Sequence, residues 1–178
     1  MLKLARFVPP AALLLFTLQA HMAFAQRIEL GGVAGGGAFA VSSGGASASG
    51  QLGVEACIWC RGRLGLFGEY AHWISAENSL TSDRVKSADL AGGGLRIQWS
   101  RTLRPFLDLG VVGGRDTHQA RPGGALGGVV VGAGVRVPVA PHWYVRPQVR
   151  VYGLSPHTLD GLDAHWAVGA GVAIGYSF

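Results

Sequence analysis

Every second residue is apolar in the last stretch of the chain, residues 162–178, which reads LDAHWAVGAGVAIGYSF. Because alternate side chains of a strand lie on opposite faces, one face here would be apolar along its whole length and the other small or polar. Soluble strands usually have about 5–6 residues, whereas a membrane-spanning strand needs about 9–11 and carries aromatic residues at both interfaces. The pattern therefore predicts a transmembrane strand, with its apolar face formed by Ala164, Trp166, Val168, Ala170, Val172, Ile174, Tyr176 and Phe178.

The opposite end of the chain has the features of a secretory signal peptide. Lys3 and Arg6 precede an apolar run at residues 11–18, and residues 23–25 form a small-x-small cleavage site. We expect residues 1–25 to be removed, so that the mature chain begins at Gln26. The apolar run is too short to span a bilayer as a helix.

Composition favours a membrane protein with one domain over residues 26–178. Only 14% of the residues are charged and 49% are hydrophobic, whereas soluble proteins have about 25% charged residues. The 29 glycines are spread through the apolar segments, where they would let a bulky side chain or another backbone approach closely. The net charge of +5 is not concentrated in a basic stripe, so no nucleic-acid partner is expected.

The mature chain contains eight segments in which apolar residues alternate with small or polar ones. Long connections rich in Ser, Gly, Asp, Asn and Pro are predicted at 41–49, 77–85, 116–124 and 155–161, and tight turns between them. Short turns at one end and longer loops at the other are typical of an outer-membrane barrel. We predict an all-β fold, a closed eight-stranded antiparallel up-and-down barrel, with strands at about 26–40, 50–60, 62–76, 86–99, 103–115, 125–140, 142–154 and 162–178.

The ending of the chain, with Tyr176 and Phe178 on the apolar row, resembles the C-terminal strand of bacterial outer-membrane barrels. The mature chain as a whole resembles the small eight-stranded barrels of the OmpA, OmpX and OmpW type. This resemblance implies a Gram-negative outer-membrane location and an assembly signal at Tyr176 and Phe178 that the barrel-assembly machinery reads. It also implies contact with outer-membrane lipid and lipopolysaccharide, no cofactor, and a monomer.

The predicted alternation directs charged side chains of both signs into the barrel. The acids expected inside are Glu29, Glu55, Glu69, Asp108 and Asp163, and the arginines are Arg96, Arg136, Arg146 and Arg150. The inner set is expected to form an ion-pair network, in which Arg146 and Arg150 pair with acids that include Asp108 and Glu69. A gate or narrow ion path built from the same residues is the functional alternative. Asp89 is expected on the lipid-facing surface, and an aromatic girdle is predicted at Tyr70, Trp99, Trp143 and Trp166. The predicted members of the network are Glu55, Glu69, Arg96, Asp108, Arg136, Arg146 and Arg150.

Local irregularities are expected at two places in this scheme. The Gly-rich middle of the first segment is ambiguous in register and could hold a bulge. Pro147 falls on the outer face of the seventh segment, where its missing N–H removes one hydrogen bond from the ladder.

Cys57 and Cys60 form a CxxC motif that could be a disulfide or a pair of free thiols. In extended backbone the two Cα atoms would be about 10 Å apart, which is beyond disulfide reach. A bridge therefore requires the segment to fold into a turn, and an oxidising periplasm would permit it.

No enzymatic activity, metal site or catalytic residue is predicted. Some of the eight-stranded barrels that this chain resembles are lipid A deacylases or acyltransferases, and the deacylases have a His-x-Ser pair on an outward face. None of the six histidines here is followed by Ser two residues later. Ser155, His157 and Asp160 are the nearest constellation, but they lie on a predicted loop, where such residues are usually solvated. Two function classes remain, a structural or surface-interaction barrel and a narrow passive channel.

Overall fold

The computed structural model describes residues 28–41, 45–60, 63–75, 85–99, 102–118, 124–156 and 165–178. They form a closed barrel in which each strand is hydrogen-bonded to its neighbours in the chain and β1 pairs with β8. All eight pairings are antiparallel, so the predicted fold is confirmed. The strands are β1 (Ile28–Val41), β2 (Gly45–Ile58), β3 (Leu64–Ser75), β4 (Val85–Gln98), β5 (Arg104–His118), β6 (Ala125–Pro138), β7 (Trp143–Pro156) and β8 (His165–Ser177). The predicted signal peptide lies outside the described residues.

Short connections after β2, β4 and β6 define one end of the barrel, here called the tight-turn end. Those after β3, β5 and β7 are longer and define the loop end. The connection after β1 differs from the prediction, because β2 begins at Gly45 and most of the expected loop at 41–49 is strand. Ser and Gly in this stretch indicate a turn when taken alone, but pairing with β1 supplies backbone hydrogen bonds that outweigh this preference.

The possible bulge in β1 is not present. The pairing of β1 with β2 runs without interruption from Ile28↔Ile58 to Val41↔Gly45, and its pairing with β8 is equally regular. A register shift lies instead in β4, between Val85 and Ser87. The glycines of β1 therefore leave room for neighbouring side chains without changing the register of the strand.

The ladder between β6 and β7 is interrupted where Pro147 was expected to disturb it. Paired residues run from Leu126↔Pro156 to Gly134↔Gln148, and pairing resumes in the same register at Val137↔Val145. Pro has no backbone N–H to donate, which accounts for a gap at this position. The strand continues through the gap because its pairing with β8 is uninterrupted, including at Pro147↔Val172.

The outer surface is apolar and the interior is filled. Leu52, Val54, Val111, Val129 and Ile174 are among the large apolar side chains exposed on the outside, as expected where lipid is the solvent. Among the described residues, no helix is long and apolar enough to cross a membrane. The interior has two layers, charged toward the tight-turn end and mainly apolar toward the loop end, where Phe39, Trp73, Leu90, Val112, Val130 and Tyr152 are buried.

Candidate functional site

Eight buried charged side chains meet inside the barrel and are here called the ion-pair network. Each is at most 10% exposed, and four carry negative charge while four carry positive charge. They include all seven predicted members of the network, together with Glu29 of β1, which was also expected to face inward. The members are Glu29, Glu55, Glu69, Asp108, Arg96, Arg136, Arg146 and Arg150.

Arg96 and Asp108 form the best-aligned pair of the network. They lie directly opposite each other on β4 and β5, and the guanidinium grips the carboxylate with two bonds. Nε donates to Oδ1 and Nη2 donates to Oδ2, each at 2.7 Å. Bidentate geometry of this kind is among the strongest charge-assisted hydrogen bonding in proteins.

Arg150 connects the acids of three strands. Its Nη2 lies 3.2 Å from both Glu55 Oε2 and Asp108 Oδ2, and its Nη1 contacts Glu69. Glu55 and Glu69 are directly opposite on β2 and β3, so two like charges would otherwise face each other. Arg150 thus contacts Asp108 and Glu69, the two acids that were expected among the partners of Arg146 and Arg150.

Arg146 contacts two other inward acids, Glu55 and Glu29. Its Nη2 binds Glu55, and its Nη1 lies 3.7 Å from Glu29 Oε2. Glu29 is also held by Arg136, whose Nε is 2.9 Å from Oε1. Glu29 was expected among the inward-facing acids, and its contacts with Arg136 and Arg146 make it a member of the network.

Aromatic rings line the arginines of this network. The guanidinium of Arg96 lies 4.4 Å from the ring centroid of Phe106, and that of Arg136 lies 4.6 Å from Tyr144. Arg146 is between these same two rings, at 5.4 Å and 5.1 Å. Such contacts are favourable when the cation is desolvated, so the rings add to the attraction of the carboxylates.

Trp73 occupies the centre of the apolar layer. It packs edge-on against Phe39 at 6.4 Å and against Tyr152 at 5.9 Å between ring centroids. Gly169 of β8 makes room for it, since a Cβ there would approach the Trp73 ring to 2.6 Å. Along their strands these residues lie on the loop side of the ion-pair network, so the two layers follow one another along the lumen.

Cys57 and Cys60 close the tight-turn end of the interior. They are joined in a disulfide, with their Cα atoms 5.8 Å apart, and both are buried. The segment turns at Trp59, which has a left-handed φ of 62°. Extended backbone would keep the thiols apart, and this turn is what allows them to meet. The side-chain amide of Gln98 donates to the carbonyl oxygen of Cys60.

The predicted girdle residues lie at different heights. Trp99 and Trp143 lie at the tight-turn end and Trp166 at the loop end. Tyr70 is nearer the middle of β3, where its hydroxyl donates to Asp89 Oδ1 at 2.5 Å. His72 Nδ1 is 2.7 Å from the same oxygen. Tyr70, His72 and Asp89 are here called the outer cluster, and Asp89 is exposed on the outer surface as expected.

The proposed assembly signal lies within an aromatic group at the seam between β7, β8 and β1. Tyr176 packs against Trp143 and Phe178, with ring centroids 5.3 Å and 5.0 Å apart. The Phe178 amide donates to the carbonyl of Ile28 at 3.0 Å. The last residues are therefore part of the closing seam, and recognition by assembly machinery stays a prediction.

The Ser155, His157 and Asp160 constellation is not assembled within the described residues. Ser155 belongs to β7, whereas His157 and Asp160 lie outside the described residues, as does Asp163. In the described part of the chain, no group of His, Cys, Asp and Glu side chains could hold a metal ion.

Solved structures with this fold are outer-membrane barrels of low sequence similarity. Neisserial surface protein A has a TM-score of 0.72 at 11% identity, covering 85% of this chain and 97% of that one. Ail, the attachment invasion locus protein of Yersinia pestis, scores 0.53 at 11% identity over 85% and 97%. The N-terminal barrel domain of Pseudomonas aeruginosa OprF scores 0.52 at 10% identity over 85% and 98%. No protein-family model and no curated protein matches the sequence. The chain therefore shares the fold of the small eight-stranded outer-membrane barrels.

Proposed function

We propose that this protein is an integral outer-membrane barrel with a sealed interior and a structural, anchoring or surface-interaction role. The observation that carries the proposal is the charge-balanced ion-pair network buried beneath an apolar layer. The proposal includes no catalytic step and no cofactor.

Charge balance supports sealing over conduction. The network has four acids and four arginines, each in contact with a group of opposite charge. Breaking a buried ion pair leaves an uncompensated charge and costs about 3–5 kcal/mol. An ion that entered the lumen would have to separate such pairs and displace Trp73, which is 1% exposed. Side chains that just fill an eight-stranded barrel leave no aqueous path.

The apolar outer surface supports a membrane location, and we propose a monomeric barrel in contact with lipid. Large apolar residues cover the outside, and we propose that outer-membrane lipid and lipopolysaccharide contact this face. Export by the signal peptide and insertion by the barrel-assembly machinery belong to the same proposal. Two similar structures are named as a surface protein and an attachment invasion locus protein, which is consistent with surface interaction through the loop end.

A narrow passive channel is the alternative, and planar-bilayer recording of the refolded protein tests it. We expect no discrete openings, because both interior layers must move before ions can pass. Folding is checked independently by the mobility difference between heated and unheated samples in gels. Reproducible single-channel steps from the folded barrel would overturn the sealed-barrel proposal.

A further inference from the structure

The outer cluster places hydrogen-bonding groups on a surface that is otherwise apolar. The Tyr70 hydroxyl and His72 Nδ1 both meet Asp89 Oδ1, at 2.5 Å and 2.7 Å. The Asp89 side chain is 51% exposed, and Oδ2 can accept a further donor. Charged groups on the lipid face are costly away from the interfaces, and neither the ion-pair network nor barrel closure uses this cluster.

A positive charge lies next to this cluster on the following strand. Arg115 of β5 is directly opposite Asp89 in the register and is exposed on the outer surface. The Cβ atoms of directly opposite residues in an antiparallel pair are about 4.5–5.5 Å apart. Arginine is well suited to bind phosphate, because its planar fork offers two parallel donors. The Asp89 carboxylate, as an acceptor, and the Arg115 guanidinium, as a cation, would together match a headgroup that has both hydroxyls and a phosphate.

An apolar groove leads away from the outer cluster across the outside of the barrel. Its floor consists of the small residues Gly32, Ala56 and Gly68, and this open groove has a volume of about 610 Å³. Leu30, Val54, Ile174 and Tyr70 line its sides, and Trp143 and Tyr176 lie at its other end. Tyr70 belongs both to this groove and to the outer cluster, so the two features are continuous.

The direction of the groove matches a lipid whose headgroup is toward the loop end. It crosses from β7 to β3, a distance of about 19 Å at the usual strand spacing. Trp143 and Tyr176 are at the tight-turn end of their strands, whereas Tyr70 is near the middle of β3. A chain in the groove would therefore descend from the polar cluster toward the tight-turn end.

We propose that the outer cluster, Arg115 and the groove together form a binding site for one lipid with a phosphate- and hydroxyl-bearing headgroup. One acyl chain occupies the groove, Arg115 binds the phosphate, and Asp89 accepts from a headgroup hydroxyl. Tyr70 and His72 hold the carboxylate in position. The inference rests on the proposed membrane location but not on whether the lumen conducts.

Native mass spectrometry of the refolded barrel tests the site with defined lipids. The probes are phosphatidylglycerol, diacylglycerol with the same acyl chains, and lipid A. Gly32→Leu fills the groove without a clash, because a Cβ at Gly32 meets nothing within 4 Å. Gly50→Leu is the matched control, since Gly50 is also exposed on the outer face and unobstructed but does not line the groove. Arg115→Gln is paired with Arg63→Gln, which removes an exposed arginine at the tight-turn end.

We expect one retained lipid per wild-type barrel for at least one phosphate-bearing probe, and no comparable retention of diacylglycerol. Preference for lipid A or for phosphatidylglycerol identifies the source of the headgroup. Retention should fall at least about tenfold in Gly32→Leu and in Arg115→Gln, and stay at the wild-type level in both controls. Each variant is checked for the gel mobility shift of a folded barrel.

Equal retention by wild type and Gly32→Leu would overturn the proposal, as would equal retention of diacylglycerol and phosphatidylglycerol. A dimer peak that Gly32→Leu abolishes would also overturn it, since a second copy would then occupy the groove. Channel openings in planar bilayers would leave this result untouched, so the two proposals fail separately.

Discussion

Arg150 shows how single side chains hold the interior together. It contacts Glu55, Glu69 and Asp108, which belong to three different strands. A charge in this position is stable only while its partners remain, because desolvation of an unpaired ion is expensive. The cost of changing one member should therefore depend on whether charge balance is restored elsewhere in the network.

The Arg96–Asp108 pair tests this dependence. We expect Arg96→Met to lower the unfolding free energy by about 3 kcal/mol, because Asp108 loses its bidentate partner. The double variant Arg96→Met/Asp108→Leu should recover much of that loss, since three acids then face three arginines. Urea unfolding in lipid vesicles measures both. A double variant less stable than Arg96→Met would show that charge balance is not what matters.

Val149 tests the assignment of β7 side chains to the lipid face. Val149 is 49% exposed on the outside, in the middle of its strand, so Val149→Arg should cost about 2–4 kcal/mol. Thr117→Arg is the control, because it is exposed close to the loop end, where the same change costs about 0–1 kcal/mol. The same vesicle unfolding assay measures both variants. Equal effects would mean that Val149 does not lie at mid-bilayer depth.

At the scale of elements, the two faces of β8 have different roles, one toward the outside of the barrel and one toward its interior. Its outward residues are apolar and include the aromatic end, while its inward residues are small enough to admit rings from other strands. Gly169 accommodates Trp73, and a Cβ at Gly175 would approach the Tyr144 hydroxyl to 2.2 Å. The strand therefore closes the barrel and shapes its interior at once.

The terminal residue is expected to matter more for insertion than its inward neighbour. Phe178→Ala removes a ring that packs on Tyr176, and deletion of Phe178 also removes its amide bond to Ile28. Ser177→Ala keeps the backbone bond that Ser177 N donates to His142 O at 2.8 Å. Immunoblots of outer-membrane fractions should show much lower levels for both Phe178 variants. Equal levels in all three would remove the assembly role.

Strand number and fold were predictable from the sequence because membrane-spanning strands require a sustained two-residue period. The start of β2 was not, because Ser47 and Ser49 belong to a composition typical of turns. Their side chains instead lie inside, where Ser47 Oγ donates to the Phe39 carbonyl at 3.3 Å. Pairing with β1, which is non-local information, decided this boundary.

At the scale of the whole molecule, the interior has two barriers in series. The ion-pair network fills the tight-turn side and the apolar layer fills the loop side. Either layer alone would oppose ion passage, the first by electrostatic cost and the second by exclusion of water. The arrangement predicts that removing one of them does not open the barrel.

Trp73→Ala tests the two barriers. The variant should be less stable by about 3–5 kcal/mol, as for other large-to-small core changes, and yet remain silent in planar bilayers because the ion-pair network is intact. Phe39→Ala is the matched control, since it removes a smaller ring from the same layer. Stepwise conductance from folded Trp73→Ala would show that the apolar layer is the only seal.

The amino-acid sequence by itself determined the number of strands, the two faces of each and most of the charges that lie inside, because these follow from side-chain period and the cost of charge in lipid. Only the tertiary structure decided which partners meet. Arg146 contacts Glu29 and Glu55, whereas Arg150 contacts Asp108 and Glu69, and Cys57 reaches Cys60 through a turn at Trp59. Such pairings depend on strand stagger and on local backbone angles, which bring together residues that are distant in the chain or point apart in extended backbone.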